Sequence, residues 1–288
     1  MGCKMLSITM MLSWSLATAD KYIASMPIPI EWVRGDSATH SFINEQGRKI
    51  LFNDGHKKAF QFFQIFAEPL DSGVLWVDTG LKSTCHLYDP DTQSGMWFWP
   101  SAAEKCTEFY NKARKLWQQK KHDKAIFYLG AAIHLVQDMC VPHHAACKIF
   151  GSHMDFEDWA ESHKDHYKVT RGGIYDLALK PEEWIAENAR LAKAFYPLVE
   201  DGARTGYHQA AEILLPQAQR TTAGFLLQFY NQLKGWKGDT DFEGSHFYRY
   251  FCSSGERSSP DHWQAGRSPG SPGHPLPGAF AGCQSVGS

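Results

Sequence analysis

Residues 134–144 read His134-Leu-Val-Gln-Asp138-Met-Cys-Val-Pro142-His-His144, and soon after the chain reads His153-Met-Asp-Phe-Glu157. His134 and Asp138 are four residues apart, as are His153 and Glu157. Residues at that spacing share one face of a helix, so each pair can offer an imidazole and a carboxylate to one ion. Pro142 ends the first helix and leaves His144 between the two pairs. Mixed nitrogen and oxygen donors of this kind suit zinc. One such pair is weak evidence, because chance copies are common. Two pairs flanking a Pro-x-His step are specific, and both work only on helices.

The chain around this stretch keeps the helical pattern. Ala102 to Gln119 and Lys124 to Met139 carry apolar residues at intervals of three and four. The helical pattern begins at His40, and Phe60, Phe62, Phe63 and Phe66 form an apolar face within Lys57 to Phe66. Ser152 is placed to cap a helix running to Tyr167. Pro181 opens a helix covering Glu182 to Phe195. Tyr207 to Leu233 gives one or two more, interrupted at Pro216. Residues 67–99 hold Gly, Pro and Asp turn signals and read as a long loop. No run alternates as a strand would. The expectation is an all-α fold, a compact multi-helix bundle crossed by a ligand-bearing loop.

Bulk properties narrow the function. The 288 residues allow one large domain or two small ones. A formal net charge of −2 gives no basic footprint for a nucleic-acid backbone, so no nucleic-acid partner is expected. Ten Trp and an aromatic content of 14% suit a large core and an apolar-lined cleft. Residues 1–19 read as a secretory signal, with Lys4, an apolar run from Met5 to Leu16, and Ala17-Thr-Ala19 before Asp20. That run is too short to cross a bilayer, so a secreted, extracellular monomer without a transmembrane segment is expected. Residues 20–31, with Pro27 and Pro29, read as a propeptide, and 32–252 as the main domain. Residues 253–288 are rich in Pro, Gly and Ser and read as a disordered tail. Of seven cysteines, Cys140 and Cys147 flank the ligand stretch. Soft ligands, a disulfide and small buried residues are the three readings of that pair.

The run Phe127-Tyr-Leu-Gly-Ala-Ala-Ile-His134 through Asp138, continuing to Pro142-His-His144-Ala, resembles the signature of the bacterial zinc-dependent phospholipase C family, alpha-toxin type. The run from His153 to Tyr167 resembles that family's next helix. His86-Leu-Tyr-Asp-Pro-Asp, Pro181-Glu-Glu-Trp184-Ile and Gln219-Arg-Thr-Thr-Ala-Gly224 are further points of similarity. The resemblance extends over roughly residues 32 to 236.

The resemblance implies three zinc ions in a cleft, two of them more secure. One takes His86, His134, Asp138 and a loop aspartate. A second takes His144, His153 and Glu157. The third takes His40 with the amine and carbonyl of Trp32, which requires that the mature chain begin at Trp32. Both Asp78 and Asp71 qualify as the loop aspartate. Asp78 keeps the apolar lead-in Leu75-Trp-Val and is preferred, and it inherits the family's role of general base. A turn aspartate in an Asp-Thr-Gly context is its bland alternative. The implied substrate is a phosphatidylcholine-like phospholipid at a membrane surface, cleaved to diacylglycerol and a phosphorylated head group. Trp76, Trp97, Phe98 and Trp99 are candidates for an aromatic wall around a quaternary ammonium group. His163 is expected at the surface, outside the site. A single-strand-specific zinc nuclease of the same fold and a non-catalytic, zinc-stabilised secreted protein are the competing readings.

Overall fold

The computed structural model describes residues 38–78, 85–96 and 99–234. Trp32, the signal, the propeptide, the tail, Trp97 and Phe98 lie outside the described residues. The helices are α1 (Ala38–Asn53), α2 (Lys57–Ile65), α3 (Ala67–Val77), α4 (Ala102–Gln118), α5 (His122–Asp138), α6 (Pro142–Ala145), α7 (His153–His163), α8 (Pro181–Lys193), α9 (Tyr196–Val199) and α10 (Arg204–Lys234). A 3₁₀ turn over Lys164–Tyr167 extends α7. Among the described residues there is no strand, only an isolated bridge between Asp89 and Ser94. No helix among them is long and apolar enough to cross a membrane.

Helix α5 is the centre of the bundle. Every residue from Leu129 to Asp138 is buried, and the helix packs against α3, α4, α8 and α10. A helix apolar on all sides must sit inside, and this one does. The polar exceptions in that run are His134, Gln137 and Asp138. Buried polar groups need partners, so the middle of the sequence is where chemistry has to be sought.

Two corrections concern element boundaries. Residues 67–77 are not loop but the helix α3. Pro69 sits in its first turn, where a missing N–H costs nothing. Leu70, Val74 and Val77 form its buried stripe. Gly73 is a contact residue rather than a turn residue. A Cβ there would lie 1.9 Å from the Phe127 carbonyl oxygen, and one on Gly130 would lie 2.1 Å from that of Leu70. The two glycines let the backbones of α3 and α5 touch. Asp78, at the end of α3, is thereby brought against His134 on α5.

The second correction is α10, which runs unbroken through Pro216. Its buried face, from Tyr207 to Leu233, packs along α1 and outweighs the hydrogen bond that proline removes. A smaller difference lies at the start of α7. Ser152 holds the capping position but makes no side-chain cap. Its hydroxyl is directed to the carbonyls of Val199, at 2.7 Å, and Glu200, at 3.1 Å. Helix α4 is capped by Ser101 and Glu104, which exchange hydrogen bonds in a capping box.

Candidate metal centre

Helices α1, α3, α5, α6 and α7, with the segment before α4 that carries His86, bring eight of the nine candidate ligands together, and all of these except the fully buried His134 line one cleft of about 770 Å³. The ninth, Trp32, is outside the described residues. Four donor atoms form the first group: Oδ1 of Asp78, Nδ1 of His86, Nε2 of His134 and Oδ2 of Asp138. Asp78 lies 3.1 Å from His134 and 3.6 Å from His86. Asp138 lies 3.0 Å from His86 and 3.1 Å from His134, and the two imidazole nitrogens are 3.4 Å apart. Around a tetrahedral ion with ligands at about 2.0–2.1 Å, donor atoms stand about 3.3 Å from each other. The five distances above, from 3.0 to 3.6 Å, lie near that spacing.

The second group is a tight triangle. Nε2 of His144 is 2.8 Å from Nε2 of His153 and 3.2 Å from Oε1 of Glu157, and the last two are 2.9 Å apart. Each of these atoms carries a lone pair when deprotonated. Three such atoms face one point only if a cation or shared protons lie between them.

Asp138 belongs to more than one group. Its Oδ2 serves His86 and His134, while its Oδ1 lies 3.3 Å from Nε2 of His40 and 3.6 Å from Nδ1 of His144. The carboxylate therefore stands between all three clusters, a bridging position that four-residue spacing alone does not reveal.

The electrostatics follow from this crowding. Burial pulls the Asp138 carboxyl up, but His134, His144 and His86 outweigh it and hold it well below the usual carboxylate range. Burial also raises Glu157, and His153 and His144 reverse that strongly. His134 is raised well above its ordinary value, because Asp138 and Asp78 overcome its burial. His144 is pushed up to about 10, with Asp138 and Glu157 overcoming its burial. Burial wins at His86, whose value falls in spite of Asp138. The ionised carboxylates thus demand positive charge at the same points where the imidazole nitrogens converge. A proton or a metal ion can meet that demand, and the two compete. The donor chemistry and spacings fit zinc.

Behind His40 lies a chain of groups whose polarity is fixed from one end. Arg48 donates two bonds to Asp71, at 3.0 and 3.2 Å. The Asp71 carboxylate can only accept, so it takes Nδ2 of Asn44 at 2.9 Å. The Asn44 oxygen then accepts from Nε2 of Gln137 at 2.8 Å, a nitrogen that also reaches Thr222 at 3.2 Å. The Gln137 oxygen is left to face Nδ1 of His40, at 2.7 Å, which must donate. The His40 proton is thereby held on Nδ1, and Nε2 turns its lone pair toward Asp138. Asp71 is the anchor of this chain and does not join the clusters, whereas Asp78 does. The sequence does carry a trace of it: His40, Asn44 and Arg48 form a polar row at intervals of four.

Other candidates resolve simply. Trp76 packs against Phe109, Phe127 and Tyr128, whereas Trp99 lines the cleft. His163 stacks on Trp159 at 4.3 Å and its Nδ1 donates to the Trp159 carbonyl, away from the ligand groups. Cys140 and Cys147 are not joined by a disulfide. Cys140 is buried, and burial raises its thiol far out of the ionising range. His143, which the sequence reading left unassigned, is fully buried beside His144. Its Nε2 lies 3.0 Å from the Ser152 hydroxyl.

Comparison with known proteins places these features in a family. Residues 39–201 match the family described as zinc dependent phospholipase C. A phospholipase C of Clostridium perfringens is 26% identical over 272 residues, covering 77% of this chain and 66% of that protein. One from Bacillus cereus is 31% identical over 172 residues, covering 51% of this chain and 61% of its own length. The solved alpha toxin of Clostridium absonum superposes with a TM-score of 0.63 at 23% identity, over 72% of this chain and 66% of the toxin. That of an avian Clostridium perfringens strain gives 0.60 at 24% identity, with the same coverages of 72% and 66%. The all-α fold is shared with these structures. This chain spans 66% of the length of the Clostridium perfringens relative.

Proposed function

The chain belongs to the zinc-dependent phospholipase C family, and we propose that it hydrolyses phosphatidylcholine-like phospholipids to diacylglycerol and a phosphorylated head group, as a secreted monomer. The observation that carries the reading is the open face of the first ligand group. A structural zinc site is closed, with all its ligands supplied by the protein and shielded. Here Asp78 keeps 19% of its side chain exposed and lines a large cleft beside a buried Asp138. A phosphodiester has room to approach from that side.

In this reading His86, His134, Asp138 and Asp78 hold one zinc ion and His144, His153 and Glu157 a second. His40 and Asp138 contribute to a third, completed by Trp32. Bound zinc supplies Lewis acidity, which brings water toward hydroxide near neutral pH and offsets charge on the phosphodiester oxygens. Asp78 accepts the proton of the attacking water. Burial raises its carboxyl, and His134, His40 and His86 more than offset that, so it is ionised and ready to accept. Asp138, held ionised from three sides, fixes the clusters relative to one another. Trp99 and Met96 give the cleft an apolar side for the rest of the lipid.

The test combines metal content with product analysis. Purified protein should contain two or three zinc ions after zinc supplementation, and chelation should abolish turnover. Phosphorus NMR of short-chain phosphatidylcholine should show phosphocholine released. Turnover of single-stranded DNA alone would assign the chain to nuclease chemistry. Full zinc loading with turnover of neither substrate would leave a zinc-stabilised, non-catalytic protein.

A further inference from the structure

Residues 112–124 read Lys112-Ala-Arg-Lys115-Leu-Trp-Gln-Gln-Lys120-Lys121-His-Asp-Lys124. The span holds six lysine or arginine residues and one acid, Asp123, in a chain whose formal net charge is −2. It covers the end of α4, the turn after it and the start of α5. Arg114 is half-buried, whereas Lys112, Lys115, Lys120, Lys121 and Lys124 are exposed. None of these five is paired with a carboxylate among the described residues. Lys112 lies over the Tyr128 ring at 3.9 Å, and Lys121 donates to the neutral Gln119 side chain at 3.1 Å.

The five lysines border one surface. Tyr128, under Lys112, is four residues beyond Lys124, so it shares a face of α5 with Lys124. Lys112 and Lys115 are neighbours on α4, three residues apart. Lys120 and Lys121 fill the turn that joins the two helices.

Local stability does not call for these charges. Lys115 does suit the negative end of α4. Lys121, however, is the N-cap of α5 and makes no side-chain cap, and Lys124 stands in the first turn. A cation is unfavourable at both places, because the helix presents its positive end there. Lys120 has φ +59°, a left-handed conformation that glycine or asparagine adopts at less cost. Three lysines thus stand where the backbone favours other residues, and what they share is an outward charge.

The surroundings select the partner. Lysines are flexible point charges that suit spaced anionic groups. Nucleic-acid bases stack on exposed aromatic rings, but Trp117 is buried and Tyr128 lies under Lys112. A bilayer would be gripped by exposed apolar groups, and none of the large ones lies in this span. A partner read by charge alone, a linear chain of repeated sulfates, fits what remains. None of the five lysines lines the metal cleft. Lys124 and Asp138 stand at opposite ends of α5, about 21 Å apart at a rise of about 1.5 Å per residue. A polymer held at the turn leaves the cleft open.

We propose that the turn between α4 and α5 is a docking surface for a sulfated polysaccharide, held by Lys112, Lys115, Lys120, Lys121 and Lys124. The proposal does not depend on the phospholipase reading.

The experiment measures heparin binding by the full chain over a range of salt concentrations. Changing Lys112, Lys120 and Lys124 together to Gln should weaken binding roughly tenfold or more, and should flatten the slope of log affinity against log salt by about two. The same three positions changed to Arg should keep both values, since the charge is retained. Lys168→Gln, Arg171→Gln and Lys180→Gln together remove equal charge from exposed positions elsewhere and should change binding by less than about twofold. Unchanged heparin binding in the first glutamine variant overturns the proposal. An equal loss in the control variant does so too, because it would show a response to net charge alone. Tighter binding to single-stranded DNA or to phosphatidylserine vesicles than to heparin at matched salt also overturns it, and would reassign the surface to that partner.

Discussion

The side-chain oxygen of Gln137 stands 2.7 Å from Nδ1 of His40, on the far side of the imidazole from Asp138. Because Arg48, Asp71 and Asn44 fix the orientation of the Gln137 amide, this contact also fixes the His40 tautomer. Replacing Gln137 with Leu should free His40 to turn and take the amide donor from the Asn44 oxygen and the Thr222 hydroxyl. The expected result is one zinc ion fewer per chain and a stability loss of about 1–3 kcal/mol. Elemental analysis and chemical denaturation read these two effects. Gln137→Glu keeps an acceptor for His40 and should retain more zinc than Gln137→Leu.

His143 braces the second ligand group. Its Nε2 donates to the Ser152 hydroxyl, which itself donates to the carbonyl of Val199 or Glu200. Burial, with His153 and His144 nearby, pushes the His143 imidazole down to about 3, so it is neutral at ordinary pH. The brace ties the residue before His144 to the residue before His153. His143→Ala and Ser152→Ala should each weaken zinc at His144, His153 and Glu157 by about tenfold or more. Competition with a chromogenic chelator measures this. Equal zinc affinity in all three proteins would show the brace to be dispensable.

Asp138→Asn should cost activity far more than His163→Ala. Asp138 lies within 3.0–3.6 Å of four imidazole nitrogens, whereas His163 is occupied with Trp159. Losses of roughly a hundredfold or more are expected for Asp138→Asn, against less than about threefold for His163→Ala. Steady-state kinetics with circular dichroism to verify folding settles the comparison.

The loop that carries His86 is anchored by Asp89. Its carboxylate accepts from Lys193 on α8 at 2.6 Å and from the Asp91 amide at 2.8 Å. Burial raises the Asp89 carboxyl, but these donors outweigh it and the value falls below 3.8. A lowered folded-state value means that the contribution to stability is complete above the unfolded value and fades as pH falls through the folded one. Asp89→Asn should therefore cost about 1–2 kcal/mol at neutral pH. The gap from the parent chain should close as the pH drops below 3.8. Urea denaturation of both chains at neutral pH and at successively more acidic values gives the curve.

The sequence by itself determined the helical architecture and pointed to the candidate metal ligands. Four-residue spacing is a property of the helix, so His134 with Asp138 and His153 with Glu157 were legible without any tertiary information. The apolar run through α5 likewise announced a buried centre. Turn-type residues misled the reading where they served packing. Pro69 and Gly73 lie within α3, and Pro216 lies within α10, because contacts between helices overrode local preference. Only the tertiary structure decided between Asp78 and Asp71. Both lie on or at the end of α3, but seven residues apart they face different neighbours, one toward His134 and the other toward Arg48. It also decided the bridging place of Asp138 and the support given by Gln137 and His143. Those contacts join positions far apart in the chain, as from His40 to Gln137, 97 residues on, and to Asp138 one residue further. Periodicity records which way a side chain points from its own helix; what stands opposite depends on how the helices pack.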